Sequence, residues 1–252
     1  MDDLMFSKID DKIRFCNSKN KITHTDFFTE PEIIRIQKYL EQQGIHNFFF
    51  FGGQPDCDRK MLFFYPDKLN YEMAFKNVNN ILKIIRITLP NNLVSTFEHR
   101  DYLSAIMKLG IVREKFGDII VYPKGADILV QEENSNYFKQ NLEQLTRFKK
   151  SKIEILDINL IHEITKTQEE IQIIVNSMRI DNFVSEIAHT SRNKVEEILN
   201  QERVMINYET ITKASKQVNL GDLIIVRGFG KYKVIEISGT TKSGKLVIKL
   251  LH

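Results

Sequence analysis

Residues 178–228 decide the fold of the C-terminal region. In order along the chain they contain Met178-Arg179-Ile180-Asp181, Thr190-Ser191-Arg192-Asn193-Lys194-Val195, Arg203-Val204-Met205-Ile206-Asn207 and Gly221-Asp222-Leu223-Ile224-Ile225-Val226-Arg227-Gly228. Apolar residues recur at helical spacing over 179–188, and a second helix is predicted to begin at Thr190 or Ser191, whose hydroxyl can cap the free amides. Side chains along residues 203–208 alternate in character with the period of two that is typical of a strand. The sequence therefore predicts two short helices ahead of a small twisted sheet.

Positive charge is concentrated in this C-terminal region. Residues 177–252 hold 12 Lys and Arg against 8 Asp and Glu, a net charge of +4, whereas residues 1–176 hold 24 against 25, a net charge of −1. A basic patch confined to one small domain is typical of contact with nucleic acid. A solvated basic face would give the same count, so charge alone does not decide between the two interpretations.

The start of the second predicted helix has the composition of an anion site. Arg192 and Lys194 lie in its first turn, where free backbone amides and the helix dipole already favour a negative ligand. Cations there oppose the dipole, so a phosphate ligand would explain their position. The alternative is that Arg192 forms an ion pair with Asp181 or Glu196 and has no further role.

The remaining strands of this region surround a basic, glycine-flanked loop. Residues 223–226, 231–237 and 246–250 are predicted strands, and Arg227-Gly228-Phe229-Gly230-Lys231 forms the loop. Residues 239–245 match the GxxxxGK spacing of a phosphate-binding loop. Leu246 follows it, however, and a strand follows where a nucleotide-binding loop requires a helix. We interpret it as a hairpin turn that carries Lys242 and Lys245 as additional RNA-backbone contacts.

The first 176 residues alternate helices and strands without a strict repeat, which favours an α+β fold over a doubly wound sheet. Thr29-Glu30-Pro31-Glu32 has the form of a helix start, and Gly44 ends that helix. We predict two small α/β units, of which the first has an RRM-like α-β-β-α-β order, followed by the C-terminal domain. The predicted boundaries are 1–90, 91–176 (which includes a linker) and 177–252.

Several classes of function lack support in the sequence. Cys16 and Cys57 have no metal-ligand spacing, and the acidic N-terminus has no apolar segment of signal-peptide length. The apolar run at 48–51 is far too short to span a bilayer. We therefore expect a cytoplasmic protein with no membrane partner, no metal, no cofactor, no small-molecule substrate and no catalytic residue.

A second basic cluster lies in the middle region. His99, Arg100, Arg113 and Lys115 are close in sequence to one another and could form a patch that faces RNA or protein. The alternative, which is at least as well supported, is that they form salt bridges with Glu98, Asp101 and Glu114. The triplet His99-Arg100-Asp101 has the sequence of the kinase catalytic triplet, but the other kinase motifs are missing from the chain.

The C-terminal region resembles the alpha-L RNA-binding fold of small-subunit ribosomal protein four. Its family pattern is matched at Arg179, Asp181, Ser191, Arg192, Val204, Asn207, Gly221 and Asp222. Glu202 departs from the pattern, because the family usually has glycine before that strand. The resemblance implies RNA contacts at Arg179, Asp181, Ser191, Arg192 and Asn207. The basic residues of the helix start, the strand and the loop add Lys194, Arg203, Arg227 and Lys231 as predicted RNA contacts.

From about residue 25 to the end, the chain also resembles the bacterial YlmH family. The matching segments are Thr25-Asp26-Phe27-Phe28-Thr29-Glu30-Pro31, Phe51-Gly52-Gly53, His99-Arg100-Asp101-Tyr102-Leu103, residues 109–119 and Arg227-Gly228-Phe229-Gly230-Lys231. The resemblance implies a non-catalytic RNA-binding protein, monomeric off the ribosome, whose partners are rRNA and tRNA on the large ribosomal subunit. It also implies a role with peptidyl-tRNA in ribosome-associated quality control of stalled translation. An RNA-modifying enzyme, a ribosome-assembly factor and an RNA binder linked to cell division remain alternatives.

Overall fold

The computed structural model describes residues 2–163 and 169–252, and the chain divides into two compact units, Met1–Thr165 and Lys166–His252. We call them the N-terminal unit and the C-terminal unit and describe each by itself. Every strand pair in both units is antiparallel, in agreement with the predicted α+β class. Residues 164–168 of the predicted linker lie outside the described residues.

The N-terminal unit begins with a three-stranded sheet covered by two helices. Its elements are α1 (Asp2–Lys19), β1 (Thr23–Thr29), α2 (Glu30–Gln42), β2 (Phe48–Phe51) and β3 (Arg59–Phe64), with strand order β1-β3-β2. Helix α2 starts where the sequence predicts, because the Glu32 carboxylate accepts the Thr29 N–H at 2.7 Å. The helices pack on one face of the sheet through Ile9, Cys16, Ile36, Leu40, Leu62 and Phe64.

A four-stranded sheet completes this unit. Its elements are α3 (Tyr71–Lys76), α4 (Val78–Ile81), β4 (Leu82–Thr88), α5 (His99–Lys108), β5 (Phe116–Tyr122), β6 (Gly125–Gln131), α6 (Glu132–Gln144) and β7 (Lys152–Asp157), with strand order β5-β6-β4-β7. A short 3₁₀ helix, Arg113–Lys115, precedes β5. Strand β6 is buried along its whole length, so this sheet is covered on both faces.

The predicted boundary at residue 90 and the RRM-like order differ from the structure. Strand β4 was expected to close the first unit, but it pairs with β6 and β7 in the second sheet. The first sheet instead contains β1, which we did not predict because its sequence, Thr-His-Thr-Asp-Phe-Phe-Thr, is too polar to read as a strand. The two sheets also share one core, in which Phe27 and Phe63 pack with Ile84 and Leu129.

The C-terminal unit is a six-stranded sheet with two helices on one face. Its elements are β8 (Glu170–Val175), α7 (Ile180–Ile187), α8 (Arg192–Asn200), β9 (Val204–Ile206), β10 (Glu209–Thr210), β11 (Leu223–Val226), β12 (Gly230–Thr240) and β13 (Leu246–Leu251), with strand order β10-β9-β11-β12-β13-β8. The predicted boundary at 177 left β8 in the linker. In the structure β8 is an edge strand of this sheet and pairs with β13 along its whole length.

The core of the C-terminal unit lies between this sheet and the two helices. The helical apolar stripe is as predicted: Ile180, Phe183, Val184 and Ile187 are all buried there. Strands contribute Val204, Ile224, Val234, Ile248 and Leu250 to the same core. The polar face of α7 and the first turn of α8 are therefore left for other contacts.

Helix α8 ends in a Schellman motif at the position where the sequence departs from the alpha-L pattern. Glu202 has a φ of 55°, its N–H donates to Leu199 O at 2.9 Å, and the Arg203 N–H donates to Ile198 O at 3.2 Å. Glycine adopts this left-handed conformation without the steric cost that glutamate has.

We expect Glu202→Gly to raise the free energy of unfolding by about 0.5–1 kcal/mol, because it removes backbone strain at a left-handed residue. Denaturant unfolding of the full chain measures the change. The matched control is Glu196→Gly, which makes the same replacement inside α8 and should lower the free energy of unfolding by about 0.5–1 kcal/mol. Changes of the same sign in both variants would contradict the prediction.

Candidate nucleic-acid interface

Arg179 and Asp181 form a bidentate ion pair at the start of α7. Arg179 is the residue before the helix, and its Nε and Nη2 donate to the two carboxylate oxygens of Asp181 at 3.1 and 2.6 Å. Asp181 is only 8% exposed. Burial raises the pKa of this carboxyl group and is the largest single effect. The hydrogen bonds and charge of Arg179, the Asn182 N–H and the charge of Arg192 together outweigh it, so the pKa of Asp181 lies below its usual range. The pair therefore holds the Arg179 guanidinium in one orientation.

A concavity of about 390 Å³ opens beside this ion pair. Its walls contain both charged and neutral polar residues, namely Asn176, Ser177, Arg179, Asp181, Asn182, Ser185 and Arg192. Asn182 Nδ2 donates to Ser177 Oγ at 2.9 Å, and Ser185 Oγ donates to Thr190 O at 2.7 Å. These hydrogen bonds order the polar wall before any ligand binds.

Four neutral members of this wall were not predicted from the sequence, namely Asn176, Ser177, Asn182 and Ser185. Asn182 and Ser185 are three residues apart on α7, so they lie on one polar helix face. That spacing was the signal available in the sequence. Without the position of α8, nothing marked this face as part of a binding site.

Arg192 is the first residue of α8 and borders the concavity. Its side chain is exposed, and within the part of the chain that the structure describes it has no carboxylate within 4.0 Å. The alternative that Arg192 is occupied by an ion pair with Asp181 or Glu196 is thus not observed. The charge of Arg192 does help to lower the pKa of Asp181, as a contribution smaller than burial and the Arg179 contacts.

Two neighbours of Arg192 differ from expectation. Ser191 is the N-cap residue of α8, but its side chain makes no capping hydrogen bond, so the predicted hydroxyl cap is wrong. Lys194 forms an ion pair with Glu197, with Nζ 2.5 Å from Oε2. Of the two first-turn cations, Arg192 is therefore the one that is available to an anion.

A second group of predicted contacts lies where β9, β11 and β12 begin or end. Arg203 Nη2 donates to Arg227 O at 2.6 Å, and Lys231 Nζ lies 5.8 Å from the centre of the Tyr208 ring. Asn207 donates to Asp222 Oδ1 at 2.7 Å and accepts the Leu223 N–H at 2.9 Å. Asn207 therefore joins two turns of the unit, which is a structural role.

Lys242 and Lys245 lie apart from both groups. They occupy the turn between β12 and β13, closed by the hydrogen bond from Thr241 N to Lys245 O at 2.8 Å. Strand β13 follows directly, so the predicted hairpin turn is confirmed. Lys231 is near the other end of β12, roughly 30 Å away along the strand. The predicted contacts thus form three separate groups.

The four residues of the predicted second patch contact their own unit. Arg100 pairs with Glu98 at 3.2 Å, as the structural alternative proposed, whereas Lys115 pairs with Asp26 at 2.8 Å. Arg113 Nη1 donates to Phe116 O at 2.7 Å and to Gly117 O at 2.9 Å. Burial, together with the nearby charge of Arg59, lowers the pKa of Arg113 to about 10.

His99, the fourth residue of that patch, begins α5. Partial burial lowers its pKa, and the positive charge of Arg113 lowers it further. A histidine with a lowered pKa is neutral at physiological pH and adds no positive charge. These contacts favour the structural interpretation of the second patch.

Within residues 2–163 and 169–252 no three His, Cys, Asp or Glu side chains are grouped as metal ligands would be. None of the described helices combines the length and apolar character needed to cross a membrane.

Two family models match the chain. One, described as "Putative RNA-binding domain in YlmH", matches residues 76–161, which include the four-stranded sheet of the N-terminal unit. The other, described as "Mitochondrial transcription rescue factor 1, C-terminal domain", matches residues 169–228. The second match begins one residue before β8, so it includes the strand that the sequence analysis had left in the linker.

Two known proteins are similar over much of the chain. "Ribosome-associated protein quality control protein P2" of Bacillus subtilis (strain 168) is 25% identical over 239 residues, which are 92% of this chain and 88% of the relative. The structure of "Cell division protein ylmH from Streptococcus pneumoniae" is 19% identical, with a TM-score of 0.50, over 64% of this chain and 94% of that chain. At that identity the structural match supports a common fold alone.

Proposed function

The chain belongs to the YlmH family, and from this premise we propose that it is an RNA-binding protein that associates with the ribosome. The observation that carries the proposal is the concavity between the starts of α7 and α8. The concavity contains the Arg179 guanidinium, which Asp181 holds in place, and the polar wall of neutral hydrogen-bonding groups. It is bordered by Arg192, in the first turn of a helix. An RNA phosphate matches each of these features in charge and hydrogen bonding.

The proposed partners are rRNA and tRNA on the large ribosomal subunit. The name of the Bacillus subtilis relative supports a role in ribosome-associated quality control. In this role the protein would bind near peptidyl-tRNA on a large subunit with stalled translation. It would act in the cytoplasm as a monomer when it is off the ribosome.

We further propose that the protein acts by binding and has no catalytic step. The two guanidinium groups bind phosphate through charge and hydrogen bonds, which requires no cofactor or small-molecule substrate. Affinity of this kind falls steeply with salt, because each phosphate contact releases a condensed counterion.

Arg192→Ala is expected to weaken binding to large ribosomal subunits about 5- to 10-fold at low salt, because one phosphate contact is lost. The slope of log affinity against log salt should become shallower by about 1. Sucrose-gradient sedimentation of a lysate at low and high salt, followed by affinity measurement on purified large subunits, tests both expectations.

Arg14→Ala is the matched control, since Arg14 is an exposed arginine on α1 that pairs with Asp11. It should cosediment with the large subunit as the wild type does. Wild-type protein that stays at the top of the gradient at low salt would contradict ribosome association. Equal cosedimentation of Arg192→Ala and wild type would instead show that the concavity is not the contact.

A further inference from the structure

The turn between β11 and β12 carries an aromatic residue whose backbone is held by hydrogen bonds on both sides. The Phe229 N–H donates to Val226 O at 2.8 Å, and the Tyr232 hydroxyl donates to Phe229 O at 2.7 Å. The glycines on either side, Gly228 and Gly230, have φ values of 92° and 129°. Because L side chains rarely adopt such angles, these two positions favour glycine.

The ends of two side chains lie close to the glycines of this turn. A Cβ atom at position 228 would lie 2.7 Å from Arg203 Nη2, and one at position 230 would lie 2.4 Å from His252 Nε2. Neither space admits a side chain without a shift. The Arg203 and His252 side chains therefore lie against the two glycines that flank Phe229.

Phe229 is 39% exposed. Within the part of the chain that the structure describes, it makes no stacked or edge-on contact with another aromatic ring. Single exposed apolar side chains are common on protein surfaces, so exposure alone implies nothing. The exposure of Phe229 becomes relevant to binding because basic residues lie in the same turn.

Three basic residues belong to the turn that carries Phe229 or contact its backbone. Arg227 precedes the turn and Lys231 follows it, and Arg203 contacts the backbone of the turn through Arg227 O at 2.6 Å. Lys231 is also near the ring of Tyr208, at 5.8 Å from its centre. An aromatic ring among cations is the arrangement by which proteins bind unpaired nucleotides, with the base on the ring and the phosphates on the cations.

We propose that Phe229 stacks on an unpaired RNA base whose flanking phosphates are bound by Arg203, Arg227 and Lys231. The inference rests on the proposed function and deepens it. A base inside an A-form helix is covered on both faces by its neighbours, so Phe229 selects a bulged, looped or flipped nucleotide. The concavity at Arg179 and Arg192 binds phosphates whether or not the bases are paired.

Fluorescence anisotropy with two RNAs tests the proposal on the full chain. One RNA is a short perfect duplex, and the other is the same duplex with one bulged 2-aminopurine, whose fluorescence falls when it stacks on an aromatic ring. Phe229→Leu keeps an apolar side chain but removes the aromatic face. Phe229→Tyr keeps that face and is the matched control.

We expect Phe229→Leu to bind the bulged RNA about tenfold more weakly than the wild type and to lose the fluorescence change. Its affinity for the perfect duplex should be unchanged, and Phe229→Tyr should behave as the wild type does. Unchanged affinity of Phe229→Leu for the bulged RNA, or an equal loss on both RNAs, would overturn the stacking proposal and leave the proposed function standing. Wild-type protein that binds neither RNA would overturn both.

Discussion

Replacing Arg86 with alanine is expected to lower the free energy of unfolding of the N-terminal unit by about 3–5 kcal/mol. Arg86 on β4 donates to both carboxylate oxygens of Asp127 on β6, at 2.8 and 2.7 Å, and to Leu160 O at 2.6 Å. The Asp127 side chain is fully buried. Without Arg86, the buried carboxylate retains His162 and Tyr122 as hydrogen-bond partners but loses the positive charge that compensates it.

The loss of stability caused by Arg86→Ala should depend on pH. Burial raises the pKa of Asp127, but in the wild type the contacts with Arg86 and His162 outweigh burial and hold the pKa below its usual range. This carboxylate therefore contributes stability above about pH 4, and the contribution is lost as the pH falls through the folded-state pKa. In Arg86→Ala, burial would raise the pKa above the unfolded value, so the variant gains stability towards acid.

The difference in unfolding free energy between Arg86→Ala and the wild type should thus be larger at pH 7 than at pH 4. Denaturant unfolding at the two pH values measures it. Arg100→Ala is the matched control, because Arg100 is exposed and pairs with an exposed glutamate, and it should change stability by less than about 1 kcal/mol. A deficit of equal size at both pH values would contradict the proposed cause.

Phe183→Ala is expected to destabilise the C-terminal unit by about 3–5 kcal/mol, because it leaves a cavity in the core. Phe183 is fully buried on α7, the same helix that carries Asp181, Asn182 and Ser185. The RNA binding that we propose for this unit should therefore fail at a lower temperature, although no residue of the concavity is changed.

Thermal unfolding and RNA binding measured over the same temperature range test this prediction. The control is Leu220→Ala, which removes an exposed apolar side chain from the same unit. Its free energies of unfolding and of RNA binding should stay within about 0.5 kcal/mol of the wild-type values. Loss of RNA binding by Phe183→Ala at temperatures where its unfolding curve is still flat would contradict an effect through stability.

Much of the C-terminal unit could be predicted because its signals are local. The apolar stripe Ile180, Phe183, Val184 and Ile187 has helical spacing within eight residues. The turn at 227–231 and the hairpin at 240–246 are specified by glycines between alternating strands. The predicted helix starts are also found in the structure, and they carry Arg179, Asp181 and Arg192.

The partners of individual side chains were less predictable than the elements. Lys115 was grouped with its sequence neighbours, but its partner is Asp26, 89 positions earlier. The neutral wall of the concavity, formed by Asn176, Ser177, Asn182 and Ser185, carries no charge pattern and becomes visible only when α7 and α8 are placed together. Contacts between residues that are distant in sequence form only in the folded chain, so the spacing of residues along the sequence does not predict them.

The amino-acid sequence by itself determined where positive charge accumulates and most of the segments that form helices and strands, with β1 as an exception. Periodicity, caps and turn residues act within about ten positions, so they are readable in one dimension. Only the tertiary structure decided that β4 pairs with β6 and β7, that β1 completes the first sheet, and that β8 is the edge strand of the C-terminal unit. The physical reason is that a strand's pattern specifies which faces are buried, whereas its hydrogen-bond partner is chosen by long-range packing.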